Sequence, residues 1–174
     1  MIPLGPLDVP GEVPGLAELI AHEHRVVDGL VAALGTDRQD RFPLAHRLVD
    51  EVAAHIAAVT QVVLPALRDI VPGGVEMANV GQTQLEELRG ALVALEEGHP
   101  GDEAFEEAVG TVTLGLNRHV PVEENGHLPA LAAVIGPDAM AELGRVYAQI
   151  KENTPSGLQG MPLVDPNPTF RTAR

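Results

Sequence analysis

Apolar residues recur at spacings of three and four through four stretches of this chain, separated by breaks rich in proline and glycine. That spacing paints one stripe on an α-helix and does not fit the every-second-residue alternation of a half-buried strand. The stripes read Leu16, Ile20, His24, Val27, Val31, Leu34; then Leu48, Val52, His55, Val59, Val62; then Ala78, Gln82, Leu85, Leu88, Leu92, Leu95; and last Phe105, Val109, Val112, Leu116, His119, Glu123. Four amphipathic helices on short connections bury such stripes against one another, as an antiparallel up-down-up-down bundle. The expected fold is therefore all-α, with essentially no strand.

Prolines and glycines set the boundaries. Pro14 suits the opening of the first helix, and Gly35 is placed to end it. Pro43 opens the second, Pro65 should kink or loosen its last turns, and Pro72-Gly73-Gly74 ends it. The third helix covers about residues 75–97 and the fourth about 102–134, with Pro121 expected to bend it close to His119. Gly136-Pro137-Asp138 then starts a short fifth helix whose inward positions are Met140, Leu143, Tyr147 and Ile150. Residues 1–14, with four prolines and two glycines, are expected to form an irregular arm. Residues 15–152 make one helical domain, and the proline-rich 153–174, which lacks helical period, is expected to be an extended or disordered tail.

A chain of 174 residues fits one domain, and with only 2% aromatics its core must be built from Ala, Val, Leu and Ile. There is no cysteine, which excludes disulfides and thiolate metal sites. A net charge of −14 argues against a nucleic-acid partner, because phosphate binding needs a basic face. No uninterrupted apolar run approaches about 18 residues, so no membrane partner is expected. The first residues lack the basic and apolar regions of a secretion signal, which leaves the cytoplasm as the default compartment.

The interruptions of the stripes carry the functional signal. His24, His55, Gln82 and His119 each stand where an apolar residue is expected, and Glu123 follows His119 by one turn. A carboxylate on a core-facing stripe is costly unless it is paired or bound to a metal. One inward histidine is commonly a hydrogen-bonded core residue, but four polar groups in register on four helices match a metal site held between facing helices. His22 and His46 project from the wet faces and His99 lies in a loop, so all three are expected in solvent. The two halves also echo each other: His24-x-x-Val27-x-x-Leu30 parallels Gln82-x-x-Leu85-x-x-Leu88, and His55 and His119 are each followed ten residues on by a proline, Pro65 and Pro129.

At these residues the chain resembles the hemerythrin-like (HHE-type cation-binding) family, over roughly residues 16–152 and including the short Ala-Glu-Leu-Gly segment at Ala141–Gly144. The resemblance implies a four-helix bundle with a non-haem di-iron centre, bridging carboxylates and histidines completing each iron's shell. It also implies roles in oxygen binding, iron or redox sensing, or peroxide and nitric-oxide chemistry. This sequence departs from the pattern twice. Val59 stands four residues after His55 where the family has glutamate, and Gln82 stands where it has a histidine. The ligands left are His24, His55, His119 and Glu123, with Gln82 as a weak amide donor. Carried over from the family, His24, His55 and Glu123 form a two-histidine, one-carboxylate set suited to ferrous iron with open positions. The expectation is zero or one non-haem iron per chain, acting on a small molecule such as oxygen or peroxide. His127, about 80° around an ideal helix from His119, and Glu124, in a Glu124-x-x-His127 pattern, are the first candidates to replace a lost ligand. The alternatives are a metal-free bundle that binds a small molecule or a protein partner, and a bis-histidine haem site supported by the histidines alone. No nucleophile–base pair or phosphate loop is visible, so any chemistry would be the metal's.

Overall fold

Residues 14–36 and 40–158 are described by the computed structural model, and among them every regular element is helical. Helix α1 spans Leu16–Thr36, α2 Arg41–Ala58, α3 Leu64–Ile70, α4 Gly74–Glu97, α5 Glu103–Val122 and α6 Leu128–Asn153. Two π turns, Val59–Val63 and Glu123–His127, join α2 to α3 and α5 to α6 without breaking the rod. The result is the expected up-down-up-down bundle. Its core is aliphatic, as composition demanded, with Phe105 and Tyr147 the aromatic side chains among the largest fully buried groups.

The π turns explain the prolines. A proline ring inside a helix collides with the carbonyl four residues back and offers no N–H to the ladder. For Pro65 and Pro129 those carbonyls belong to Gln61 and Asn125, each inside a π turn. The wider turn relieves the collision while the helix continues. The expected loosening near Pro65 thus takes a defined form, repeated in the second half.

Gly136, at φ 76° and ψ 176°, breaks α6 where the Gly-Pro-Asp signal stands. The segment after it, 137–153, is the expected fifth helix; with Leu143 and Tyr147 it closes over the bundle beside α1 and α2. Gly144 permits the approach, since a Cβ there would lie 3.0 Å from the Leu16 backbone nitrogen. Past the helix, the Gly157 N–H donates to Asp50 at 2.6 Å and Leu158 packs against the core. The rest of the tail and nearly all of the expected N-terminal arm lie outside the described residues. The continuous rod Arg41–Ile70 is long and apolar enough to cross a bilayer, but 78% of its most apolar window is buried inside the bundle. That burial marks it as the central core helix.

Candidate metal centre

The inner stripe of each long helix delivers its histidine to one buried point. His24 comes from α1, His55 from near the end of α2, His119 from near the end of α5, and Glu123 opens the second π turn. All four are buried, Glu123 completely. The Glu123 Oε2 atom lies 3.3 Å from His24 Nε2, 3.4 Å from His55 Nε2 and 3.4 Å from His119 Nε2. The Nε2 atoms of His55 and His119 are 3.1 Å apart, and one donor atom from each of the four residues lies within 4.8 Å of every other. Despite these distances, neither Glu123 oxygen nor His24 Nε2 has a partner in hydrogen-bonding geometry among the described residues. The His55 and His119 Nε2 atoms meet in hydrogen-bonding geometry, whereas His24 Nε2 and both Glu123 oxygens are left without a donor.

That arrangement fits a cation. Metal–nitrogen and metal–oxygen bonds of about 2.0–2.2 Å at tetrahedral angles place neighbouring donors about 3.3–3.6 Å apart, close to the contacts around Glu123. Imidazoles with a carboxylate suit first-row transition ions, whereas calcium and magnesium prefer all-oxygen shells. Buried acceptors without donors otherwise carry a desolvation cost that native structures rarely leave unmet.

The surrounding groups hold two of the rings in the tautomer a metal needs. The His24 Nδ1–H donates to Glu124 Oε1 at 2.8 Å, which leaves Nε2 as a lone pair. The His55 Nδ1–H donates to the Tyr147 hydroxyl at 2.9 Å, and that hydroxyl donates to Glu23 Oε2 at 2.6 Å. Lys151 Nζ, 3.0 Å from Glu23 Oε1, balances the charge at the end of this chain. Such outer partners orient ligating histidines and raise their basicity. His119 differs, because its Nδ1 has no partner among the described residues and its Nε2 lies 3.1 Å from His55 Nε2, in hydrogen-bonding geometry.

Electrostatics agree with the geometry. Burial pushes the Glu123 carboxyl up, but the charge of His55 and the contacts of His119 and His24 outweigh it and hold the group well below the usual carboxylate range. Burial disfavours a charged His24, yet Glu123 and Glu124 pull its pKa above 6.5. His55 is pushed down by burial, only partly offset by Glu123 and Glu23. Tyr147 is raised well above its ordinary value by burial and by the Glu23 and Glu123 charges, so its hydroxyl stays protonated.

Gln82 does not join the cluster, which corrects the sequence expectation. Its Oε1 accepts a bond from Arg68 Nη2 at 2.5 Å and its Nε2 donates to Glu86 at 3.1 Å, on the flank of α4. The buried stripe of α4 runs Ala78, Gly81, Leu85, Leu88. Both Gly81 and Gln82 stand at helical spacing from Leu85, and the glycine takes the inward place. Val59, as expected, brings no donor: it is fully buried and opens the first π turn, as Glu123 opens the second. His22, His46 and His99 are exposed.

Glu23, Lys151 and Tyr147 escaped the sequence reading as participants, and His127, named there as a candidate replacement ligand, was placed on the wrong face. His127 is 2% exposed and not on the flank that an ideal helix would give it. The π turn absorbs one residue, so His127 falls where an ideal helix would put the seventh residue after His119, back on the stripe. Glu23 and Lys151 left no sequence signal, since Glu23 is simply the neighbour of His24. Tyr147 was legible only as an inward residue of the last helix.

The chain matches the family described as Hemerythrin HHE cation binding domain over residues 15–131. It is similar in fold to a solved structure, a hemerythrin HHE cation-binding domain-containing protein from Mycobacterium kansasii, with a TM-score of 0.68 and 22% identity over 80% of this chain and 86% of that one. No functionally curated protein matches the sequence. With more than half of its length matched, and the matched span ending just past the second π turn, this chain belongs to the hemerythrin HHE cation-binding domain family.

Proposed function

We propose that this protein binds one iron ion tightly at His24, His55, His119 and Glu123, and that the loaded site reacts with a small oxidant such as oxygen or peroxide. The observation that carries this reading is the convergence of three imidazole Nε2 atoms on Glu123 Oε2, at 3.3 to 3.4 Å and without hydrogen-bond geometry for that oxygen. Iron in such a donor set would supply one-electron chemistry and at least one open position for a small molecule.

The chain's own residues make the site ready. Glu124 fixes the His24 ring and Tyr147 fixes the His55 ring, so two Nε2 lone pairs face inward before any ion arrives. Glu123, held ionised by its neighbours, supplies the negative charge that offsets a divalent ion. Val59, Leu116 and Leu64 are buried core residues, part of the apolar packing that keeps bulk water from the bundle's interior. The expected consequence is that iron-loaded protein consumes peroxide or oxygen faster than the same concentration of free iron. Glu123→Gln, which keeps the shape and removes the charge, should lose both the iron and the excess rate. Consumption no faster than free iron, with iron bound, would overturn the reading.

A further inference from the structure

Three imidazoles account for one side of Glu123. Its second oxygen, Oε1, is buried and has no partner among the described residues, and the same holds for Nδ1 of His127. These two atoms belong to the first and last residues of one π turn. Of the two ring nitrogens of His127, Nδ1 is the buried one without a partner among the described residues. A neutral imidazole with Nδ1 unprotonated offers that atom to a cation.

The space has been made for this ring. A Cβ on Gly81 would lie 2.9 Å from His127 Cε1 and 2.9 Å from Leu64 Cδ2. In the first half, the residue in the position of His127 is Val63, fully buried, as Val59 stands in the position of Glu123. The second half therefore carries donors at both ends of its π turn where the first half carries valines. An open, mainly apolar groove of about 470 Å³ between α4 and this turn reaches His127, with Met77, Val80, Val122 and Asn125 in its walls and the Glu76 carboxylate among them.

Two buried acceptors without a partner, at the two ends of one π turn, call for a Lewis acid or for the hydrogens of a water. We propose that His127 is a cation ligand, holding with Glu123 Oε1 a second and weaker cation position on the Gly81 side of the four-donor cluster. It is weaker because only two protein donors serve it and because a neighbouring cation repels it, with Glu123 alone bridging the two. This inference rests on the proposed first site, and the two fail differently in one experiment.

The experiment titrates metal-free protein with Co2+, followed by visible absorption and by hyperfine-shifted exchangeable ring N–H signals in proton NMR. Wild type is expected to bind in two steps, the second roughly 100-fold weaker, the scale on which losing metal-site partners acts. A further shifted N–H signal, from the ring of His127, should grow in with the second step only. His127→Val, which copies Val63, should abolish the second step and that signal and leave the first step intact. Gly81→Ala, which displaces the ring without removing it, should weaken the second step alone. A single step in wild type would mean the space holds water and would overturn the inference while the first site stands. Persistence of the second step in His127→Val would also overturn it. Absence of any Co2+ binding would overturn the first site as well.

Discussion

Val59 and Glu123 occupy the same station in the two halves of the bundle, each the first residue of a π turn and each four residues after an inward histidine. One is a fully buried hydrocarbon and the other a fully buried carboxylate. The halves share backbone geometry but not chemistry, and that asymmetry underlies the expectation of one strong cation site instead of two equal ones.

Val59→Glu tests the asymmetry directly. In metal-free protein a new carboxylate at this buried station has no assured partner, and an uncompensated buried charge costs about 3–5 kcal/mol. Thermal unfolding in chelator should show a correspondingly lower Tm, recovered when Fe2+ or Co2+ is added. Adding Gln82→His should contribute nothing more, because Gln82 faces Arg68 and Glu86 and not the cluster. An unchanged Tm in chelator would contradict this picture.

Tyr147→Phe isolates the orienting hydrogen bond on His55. The hydroxyl is 2.9 Å from His55 Nδ1, and without it the nearest acceptor is Glu23 at 3.4 Å. Loss of an outer partner of a metal-binding histidine costs about 10–100-fold in metal affinity. Competition with a chelator of known affinity should read that loss. Metal-free stability should fall by only about 1–3 kcal/mol, the cost of unpairing a buried group.

The fold was almost wholly legible because aliphatic periodicity dictates it, and so was the convergence of His24, His55, His119 and Glu123, which follow the same stripe. The misplacement of Gln82 has a physical cause. A glycine carries no mark of burial, so a reading by hydropathy passes over Gly81 and gives the inward place to its polar neighbour. His127 was misplaced for a different reason. Its position depends on one residue absorbed by a π turn, and ideal 3.6-residue geometry places it on the wrong face. Pro65 and Pro129 were the visible traces of those turns, Pro65 read as loosened helix and Pro129 only as its echo in the second half.

Two glycines of α4 should respond in opposite ways to alanine. At Gly74 a Cβ would lie 1.8 Å from the Leu67 carbonyl oxygen, a backbone atom that cannot easily retreat. Gly74→Ala should therefore destabilise the protein by about 2 kcal/mol or more. At Gly90, in mid-helix, nothing lies within 4 Å of the added carbon. Gly90→Ala should stabilise by about 0.5–1 kcal/mol through helix propensity. Denaturant titrations of the two variants beside the parent check both signs at once.

The most direct test of a single strong site is the iron content of protein reconstituted anaerobically with excess Fe2+ and then passed through a desalting column. One iron per chain should remain, and it should be lost in His24→Ala, His55→Ala and Glu123→Gln. Retention of two irons per chain with equal tenacity, or of none, would contradict the assignment of His24, His55, His119 and Glu123 as one strong cation site.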